Sequence, residues 1–328
     1  MSELLVLSRR DLAALMRFGD YVEAVAEGFR LHLDIGCAAP LPMEIAANGG
    51  AFHVKAASLP RGSGYVAVKI NANFPENPRR RDLPTIQGAV LLSDATDGTP
   101  LALLDSGEIT MQRTGAATAI AARYLAPPGA EVATICGCGV QGRIQLVALR
   151  HVLDIKRVYA WDIEPSVAAA YARRMSEECG IEVVPATTLR AATRASQAIV
   201  TCASSVVSFL DVDDVAPGTF IAAIGADNPR KNEIRPALMA HAKVVADIGA
   251  QCAAMGDLHH AIRAGAMRAT DIHGELGELI AGRKRGRERE DEITLFDGAG
   301  TGIQDVAASA CAYEKARERG VGSRCRLG

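Results

Sequence analysis

Short runs of branched apolar residues alternate with helical stretches from about residue 131 onward. The runs are EVATICG, RVYAWD, IEVVPA, QAIVTCA, TFIAAIGA, AKVVADI and ITLFDGA. Strands buried on both faces of a parallel sheet are apolar throughout, and strands that alternate with helices form such sheets. The pattern therefore predicts an α/β fold with a doubly wound parallel sheet of about seven strands.

The first part of the chain has a different pattern. Amphipathic stretches within residues 8–35 precede the runs PMEIAA, AFHVKAA, YVAVKINAN, GAVLLSDA and PLALLDS, and Asp97-Gly98 is a hairpin signal between the last two. We expect a second, α+β domain with mainly antiparallel strands. An Ala-rich helix over 105–125 precedes Pro127-Pro128-Gly129, which breaks the chain before the first buried strand. The predicted domains are residues 1–126, joined by the C-terminal helical segment 305–328, and residues 127–304.

Composition restricts the kind of partner. Hydrophobic residues make up 49% and charged residues 23% of the 328 residues, with a net charge of -2, so no basic field favours nucleic acid or an anionic membrane. The N-terminus lacks a cleavable apolar core, and no apolar run reaches the roughly 18 residues of a membrane span. We expect a cytoplasmic protein with a small-molecule partner.

Cysteine and histidine spacing argues against a metal site. The eight cysteines form no C-x-x-C pair, and Cys136-x-Cys138 lies at the end of a predicted strand, so we interpret them as reduced and buried. His259 and His260 are adjacent, and adjacent side chains diverge by about 100° on a helix. We therefore expect no metal.

A glycine motif ends the first buried strand and opens a helix. It is Gly137-Cys138-Gly139-Val140-Gln141-Gly142, a G-x-G-x-x-G in the strand-turn-helix context that dinucleotide binding requires. The first glycine permits the tight turn, the second lets the backbone approach a pyrophosphate, and the third allows close helix-sheet packing. The alternative is an ordinary strand-helix turn without a nucleotide.

Asp162 ends the next strand, about 20 residues after the motif. A carboxylate there accepts hydrogen bonds from the adenosine ribose hydroxyls and repels a 2′-phosphate, which favours NAD over NADP. The alternative is a helix-capping Asp before Pro165. Together the motif and Asp162 predict a Rossmann-type NAD-binding domain over residues 127–304.

Five blocks of the chain, in this order, resemble the ornithine cyclodeaminase/mu-crystallin family. They are VKINANFPENP with LPTIQG, QRTGAATAIAARYL, ICGCGVQGRIQLVAL, AIGADNPRKNEI and ITLFDGAGTGIQDVA. Members of the family include ornithine and lysine cyclodeaminases, amino-acid dehydrogenases, cyclic-imine reductases and a crystallin. The resemblance implies a nicotinamide cofactor, a small amino-acid or imino-acid substrate, and a homodimer formed through the substrate-binding domain, residues 1–126.

The resemblance also implies roles for individual residues. Lys69 in VKINAN is similar to the family's substrate-side lysine, Arg113 in QRTG to the arginine that binds the substrate carboxylate, and Asp227 in IGAD to its catalytic carboxylate. Besides the three motif glycines and Asp162, the positions similar to the family's cofactor-side residues are Thr85, Thr114, Val140, Gln141, Thr201, Lys231 and Gly298.

Two stretches depart from the family pattern. In PLPMEIA, where relatives place a basic residue for the substrate carboxylate, this chain has Met43 and Glu44. His53 and Lys55, two apart on a predicted strand, point to one face and are candidates to supply the missing positive charge. The alternative is a pair on an edge strand, with one residue buried and the other facing solvent. After the last strand, Gly298-Ala299-Gly300 replaces the Ser-Thr-Gly common in the family.

We therefore expect NAD-dependent hydride transfer at Cα of a small L-amino acid, with Arg113 and Lys69 positioning the carboxylate and Asp227 handling the proton. The resulting imine is hydrolysed to a keto acid, or cyclised with loss of ammonia. A cyclic-imine reductase uses only the return of the hydride. The alternative is a crystallin-like protein that binds nucleotide and a small ligand without turnover.

Overall fold

The computed structural model describes residues 3–326. Its strands, in chain order, are β1 (Glu3–Leu7), β2 (Met43–Ala47), β3 (Gly50–Leu59), β4 (Tyr65–Asn73), β5 (Ile86–Asp94), β6 (Pro100–Asp105), β7 (Val132–Cys136), β8 (Arg157–Trp161), β9 (Glu182–Pro185), β10 (Ala198–Thr201), β11 (Phe220–Ala223), β12 (Lys243–Ala246), β13 (Gly274–Glu275), β14 (Thr294–Asp297) and β15 (Ser323–Arg326). Its helices are α1 (Arg9–Leu15), α2 (Phe18–Ile35), α3 (Asn77–Arg81), α4 (Ser106–Leu125), α5 (Val140–Val152), α6 (Pro165–Cys179), α7 (Leu189–Arg194), α8 (Pro236–His241), α9 (Gly249–Met255), α10 (Asp257–Arg263), α11 (Leu276–Ile280) and α12 (Gly302–Arg319).

The chain divides into two compact units. The first contains the chain up to Ala116 and the segment from Thr301 onward, and the second contains Ala117–Gly300. The division falls within α4, whereas the sequence placed it at the Pro127-Pro128-Gly129 breaker. The roles predicted for the two domains stay predictions.

The first unit is built on a mixed seven-stranded sheet, in the order β15-β1-β6-β5-β4-β3-β2. All neighbours are antiparallel except β1 and β6, so the predicted mainly antiparallel α+β fold is confirmed. α12 packs on β3 to β6 and on α2, and it approaches closely because its contact positions are small. A Cβ on Gly302 would lie 2.4 Å from the Ala56 carbonyl oxygen, and one on Gly28 would lie 2.8 Å from Ala307 Cβ.

The opposite face of this sheet carries large apolar side chains that remain partly exposed. The strand register places six such residues on this face, each between 36% and 53% exposed: Met43, Ile45, Phe52, Ile70, Leu91 and Leu103. A contiguous exposed apolar face is typical of an interaction surface.

The second unit is built on a parallel eight-stranded sheet, in the order β13-β12-β14-β11-β10-β7-β8-β9. The predicted doubly wound sheet is confirmed, and its central strands β10, β11 and β14 are buried along their whole length. The eighth strand, β13, has two residues and is too short to leave a sequence pattern.

The order of these strands determines where a site can form. The chain runs outward from β7 through β8 to β9 and then returns to β10 on the other side of β7, so the winding reverses between β7 and β10. Ligands of such folds bind at the carboxyl ends of the strands beside this reversal. Among residues 3–326, no helix combines the length and the apolar character needed to cross a membrane.

Candidate functional site

The glycine turn follows β7 and has the close contacts that exclude side chains. Gly137 has φ +105°, and a Cβ there would lie 2.8 Å from the Cys202 carbonyl carbon and oxygen. A Cβ on Gly142 would lie 2.3 Å from the Gly137 carbonyl oxygen, so the first turn of α5 packs directly on the strand end. These contacts are the physical reason for glycine at both positions.

Gly139 differs, because a Cβ built on it would meet no atom within 4 Å. Gly139 is the N-cap of α5, a helix of 13 residues, and no side chain caps it. Val140 and Gln141 open the helix, with Val140 53% exposed. An open space beside the N–H groups of a helix N-terminus fits a pyrophosphate, so the residues present suit a dinucleotide.

Asp162 lies directly after β8 and faces the glycine turn. Its Oδ2 accepts a hydrogen bond from Cys138 N at 2.9 Å, and its Oδ1 accepts one from Glu164 N at 3.1 Å. The N-cap of α6 is Glu164, so Asp162 is not the N-cap residue of that helix, although it bonds to the backbone just before it. The structure thus brings Asp162 to the turn, where the sequence predicted it.

Cys138 takes a structural place within the turn. Its thiol donates to the Trp161 carbonyl oxygen at 3.4 Å. Burial and the neighbouring Asp162 raise its pKa to about 12, so the thiol stays protonated at neutral pH. In the part of the chain that is described, no group of His, Cys, Asp and Glu is arranged to hold a metal ion.

Other predicted cofactor-side residues lie at the same edge of the parallel sheet. Thr201 is the last residue of β10 and is buried. Asp227 follows β11, and Lys231 Nζ lies 2.7 Å from its Oδ1, a pair that the sequence did not predict. Gly298 follows β14, and a Cβ there would lie 2.8 Å from Ile224 Cδ1, so this glycine also has a packing reason.

The first unit buries an ion triad that joins two predicted residues to a third. Lys69 Nζ lies 2.6 Å from Asp305 Oδ2, and Arg113 Nε lies 3.0 Å from Asp305 Oδ1. Arg113 Nη1 donates to Gln304 Oε1 at 2.6 Å. The side chains of Lys69, Arg113 and Asp305 are 2%, 5% and 1% exposed, so the triad is almost fully removed from water.

Within the triad, the pKa values of both Lys69 and Asp305 lie below their ordinary values. Burial, with the nearby charge of Arg113, lowers the pKa of Lys69 to about 7. Burial alone raises the pKa of Asp305, but Lys69 and Arg113 outweigh it and hold that pKa below its ordinary value. Asp305 therefore stays ionised between two cations, while Lys69 exchanges its proton near neutral pH.

Lys55 and His53 lie on the same face of β3 as the sequence predicted. Lys55 is directly opposite Lys69 in the β3–β4 register and is 8% exposed. His53 is opposite Glu44 on β2, with His53 Nδ1 3.7 Å from Glu44 Oε2. The acidic Glu44 thus lies beside His53, while Lys55 joins the buried cations.

Two predicted residues of the first unit contact backbone rather than the triad. Thr114 Oγ1 donates to the Thr110 carbonyl oxygen within α4, and the Thr85 carbonyl oxygen accepts from Phe74 N. The substrate and cofactor roles of all these residues stay predictions.

Sequence reasoning missed Asp305, Gln304 and Asn71. Asn71 donates from Nδ2 to Thr110 Oγ1 at 3.2 Å, and its Oδ1 is buried without a hydrogen-bond partner among the described residues. A charged Asp305 inside the apolar positions of a helix was the available signal, because buried carboxylates are rare unless they are paired. Single amides such as Gln304 and Asn71 carry no such signal.

Comparison with known proteins gives full-length matches. The sequence profile of the Ornithine cyclodeaminase/mu-crystallin family matches residues 2–320. The alanine dehydrogenase of Archaeoglobus fulgidus is 35% identical over 327 residues, which are 99% of this chain and 99% of that protein.

Solved structures agree with the sequence matches. An archaeal alanine dehydrogenase dimer with bound NAD superposes with a TM-score of 0.93 at 35% identity and covers 100% of both chains. The Δ1-pyrroline-2-carboxylate reductase of Thermococcus litoralis, in complex with NADH and L-proline, has a TM-score of 0.93 at 33% identity, and covers 98% of this chain and 99% of that one.

The triad yields a prediction about stability. Asp305→Asn leaves two buried cations without their carboxylate, and we expect the free energy of unfolding to fall by about 3–5 kcal/mol in urea denaturation. Glu3→Gln is the control, because the Glu3–Arg324 pair of the same unit is exposed and worth less than about 1 kcal/mol. Equal midpoints for Asp305→Asn and the unchanged protein would contradict the role of Asp305.

Proposed function

The chain belongs to the ornithine cyclodeaminase/mu-crystallin family, and from this membership we propose that it is an NAD-dependent oxidoreductase acting at Cα of a small L-amino acid or the matching α-imino acid. The observation that carries the proposal is the buried Lys69–Asp305–Arg113 triad. Burying three charges costs stability that an apolar core does not cost, which favours a role in chemistry.

Arg113 binds the substrate carboxylate in this proposal. A guanidinium carries five N–H donors; Arg113 donates from Nη1 to Gln304, and its Nε lies 3.0 Å from Asp305 Oδ1 in an ion pair. The remaining donors are available for a carboxylate, which a guanidinium binds through parallel charge-assisted hydrogen bonds. Because Asp305 and Gln304 hold the guanidinium in one orientation, the substrate Cα is held in one place as well.

Lys69 and Asp227 handle protons. With a pKa lowered to about 7, Lys69 donates or accepts a proton near neutral pH. Asp227 takes a proton from the substrate amine, and Lys231, 2.7 Å away, stabilises its carboxylate. Held at the glycine turn by Gly137, Gly139 and Asp162, a nicotinamide dinucleotide would supply the hydride acceptor for Cα of an amino acid or, in its reduced form, the hydride donor for an imine.

The glycine turn and Asp162 bind the dinucleotide. The N–H groups at the start of α5, beside the open space at Gly139, receive the pyrophosphate. Asp162 accepts hydrogen bonds from the ribose hydroxyls and excludes a 2′-phosphate. This assignment favours NAD, the form bound in the archaeal alanine dehydrogenase.

Cofactor choice is tested at Asp162. We expect Asp162→Ser to weaken NAD binding by about ten- to hundredfold, because hydrogen bonds to a charged group are lost. We also expect the preference for NAD over NADP to become smaller. Glu164→Gln is the matched control, since Glu164 is exposed nearby and makes no side-chain cap. Titration with both nucleotides measures the effect, and an unchanged preference in Asp162→Ser would contradict this role.

The reaction is tested by following NADH and ammonia together. The unchanged protein is supplied with NAD and alanine, proline, ornithine or lysine, and with NADH and pyrroline-2-carboxylate or pyruvate plus ammonia. We expect NADH to change with at least one substrate, and Asp227→Asn to lower kcat by about 10²–10⁴-fold while NADH still binds.

Each outcome of this assay has a distinct meaning. Ammonia release from ornithine or lysine without net change in NADH identifies a cyclodeaminase rather than a dehydrogenase. Binding of NADH with no turnover of any amino or imino acid contradicts the oxidoreductase proposal and favours a nucleotide-binding protein. Full turnover by Asp227→Asn contradicts the role of Asp227.

The apolar face of the first unit's sheet, with Ile70 and Phe52, is proposed to bind a second copy of the chain. The archaeal alanine dehydrogenase is a dimer. We expect light scattering to give the mass of two 34.5 kDa chains, and Ile70→Lys to give one, because a buried charge without a partner opposes association. Val207→Lys is the control, as Val207 is 68% exposed in the second unit. A monomeric unchanged protein contradicts the proposal.

A further inference from the structure

A buried carboxylate lies beneath the carboxyl edge of the parallel sheet. Glu233 is 0% exposed. Its Oε1 accepts a hydrogen bond from Ala203 N at 2.6 Å, and its Oε2 accepts one from Gly225 N at 2.9 Å. Ala203 follows β10 and Gly225 follows β11, so one side chain connects the loops after two neighbouring strands.

The first of these loops supports the glycine turn. A Cβ on Gly137 would lie 2.8 Å from the Cys202 carbonyl carbon and 2.9 Å from Ala203 N, so the turn rests on the Cys202–Ala203 peptide. The Cys202 thiol also donates to the Gly137 carbonyl oxygen at 3.2 Å. Because Glu233 holds the N–H of this same peptide, a displacement of its carboxylate displaces the surface on which Gly137 packs.

The second loop leads to Asp227. A Cβ on Gly225 would lie 2.3 Å from the Glu233 carboxyl group, so Glu233 fits only because residue 225 has no side chain. Asp227 N donates to the Gly225 carbonyl oxygen at 3.2 Å, which ties the proposed catalytic carboxylate to the same corner.

Hydrogen bonds hold the backbone of Glu233 at both its N–H group and its carbonyl oxygen. Asp257 Oδ1 accepts from Glu233 N at 2.7 Å and from Ile234 N at 2.9 Å. The Glu233 carbonyl oxygen accepts from Phe209 N and Leu210 N. The carboxylate is therefore fixed to a rigid frame, as a group that orients other groups must be.

Burying Glu233 in these surroundings lowers the stability of the folded protein, which a purely structural role would not explain. Burial, with the nearby charge of Asp257, raises the pKa of Glu233 above its ordinary value, against the hydrogen bonds from Ala203 N and Gly225 N, which stabilise the carboxylate. An acid buried beside a second acid is destabilising relative to apolar side chains of similar volume. Groups retained at such a cost occur most often at functional sites.

We propose that Glu233 is a positioning residue for the dinucleotide, which sets the Cys202–Ala203 peptide beneath the glycine turn and the Gly225 corner before Asp227. The proposal rests on the proposed function, because it requires the dinucleotide to bind at that turn. Glu233 acts through the backbone of both loops and does not touch the reacting atoms.

The test is NADH binding to the full chain carrying Glu233→Gln. The amide has the same shape but offers a donor where Ala203 N or Gly225 N needs an acceptor. We expect the dissociation constant for NADH to rise about tenfold. Binding is measured by the quenching of the fluorescence of Trp161, which is the single tryptophan and directly precedes Asp162. Circular dichroism with a thermal melt shows whether the variant is folded.

Ser196→Ala is the matched control. Ser196 is also buried in the second unit, and its hydroxyl lies 2.7 Å from Thr134 Oγ1, but it precedes β10 and so lies at the other edge of the sheet. We expect its variant to melt at a lower temperature and to bind NADH as the unchanged protein does. Equal losses of affinity in both variants would show a general effect of stability and overturn the proposal.

Further measurements keep the test decisive. With a substrate identified by the NADH assay, Glu233→Gln is expected to raise KM for the nucleotide and also to lower kcat, because it displaces the Gly225 corner before Asp227, whereas Ser196→Ala is expected to change neither. If Glu233→Gln does not fold, Glu233→Asp replaces it, because its shorter carboxylate cannot reach both loops, and we expect about a threefold loss of NADH affinity. Unchanged NADH affinity in the folded variant overturns the proposal. Absence of NADH binding by the unchanged protein instead overturns the proposed function and this inference with it.

Discussion

The ionised Asp305 is the constraint on which the first unit's chemistry depends. It lies at the start of α12 and holds Lys69 from β4 and Arg113 from α4 within hydrogen-bonding distance, all three almost completely buried. Without it the two cations repel each other in a medium that screens charge poorly. With it the guanidinium has one orientation. Burial, the charge of Arg113 and, to a smaller extent, the charge of Lys55 across the strands lower the pKa of Lys69 to about 7, although Asp305 acts in the opposite direction.

In the second unit, buried acids orient the loops without the help of cations. Its buried acids, Glu233, Asp257 and Asp297, accept hydrogen bonds from backbone N–H groups rather than from cations. Glycine stands where these carboxyl groups need room, at Gly225 and at Gly256, whose Cβ would lie 2.6 Å from Asp297 Oδ2. Loops at the carboxyl edge of the sheet are thereby fixed from below, and their upper surface keeps free space such as that at Gly139.

Family membership accounts for the order of the motifs. In the two stretches that depart from the family pattern, the structure shows what Glu44 and Gly298 contact. Glu44, in the first of the two departing stretches, has its Oε2 3.7 Å from His53 Nδ1, so Glu44 and His53 form one local charge arrangement. Lys55 joins the buried cations around Lys69, whereas His53 is farther out and faces an acid. The glycine-rich loop after β14 has its own cause at Gly298, which packs against Ile224.

The sequence by itself determined the parallel sheet, the antiparallel sheet, the glycine turn and the place of Asp162. These depend on local periodicity and on backbone freedom, which are encoded within a few neighbouring residues. It did not determine the partners of the charged residues. Lys69 and Asp305 are separated by 236 positions, and Glu233 and Ala203 by 30. Such pairs form only when the strands and helices pack, because the low dielectric of the folded interior and the register of the sheet decide which charges meet.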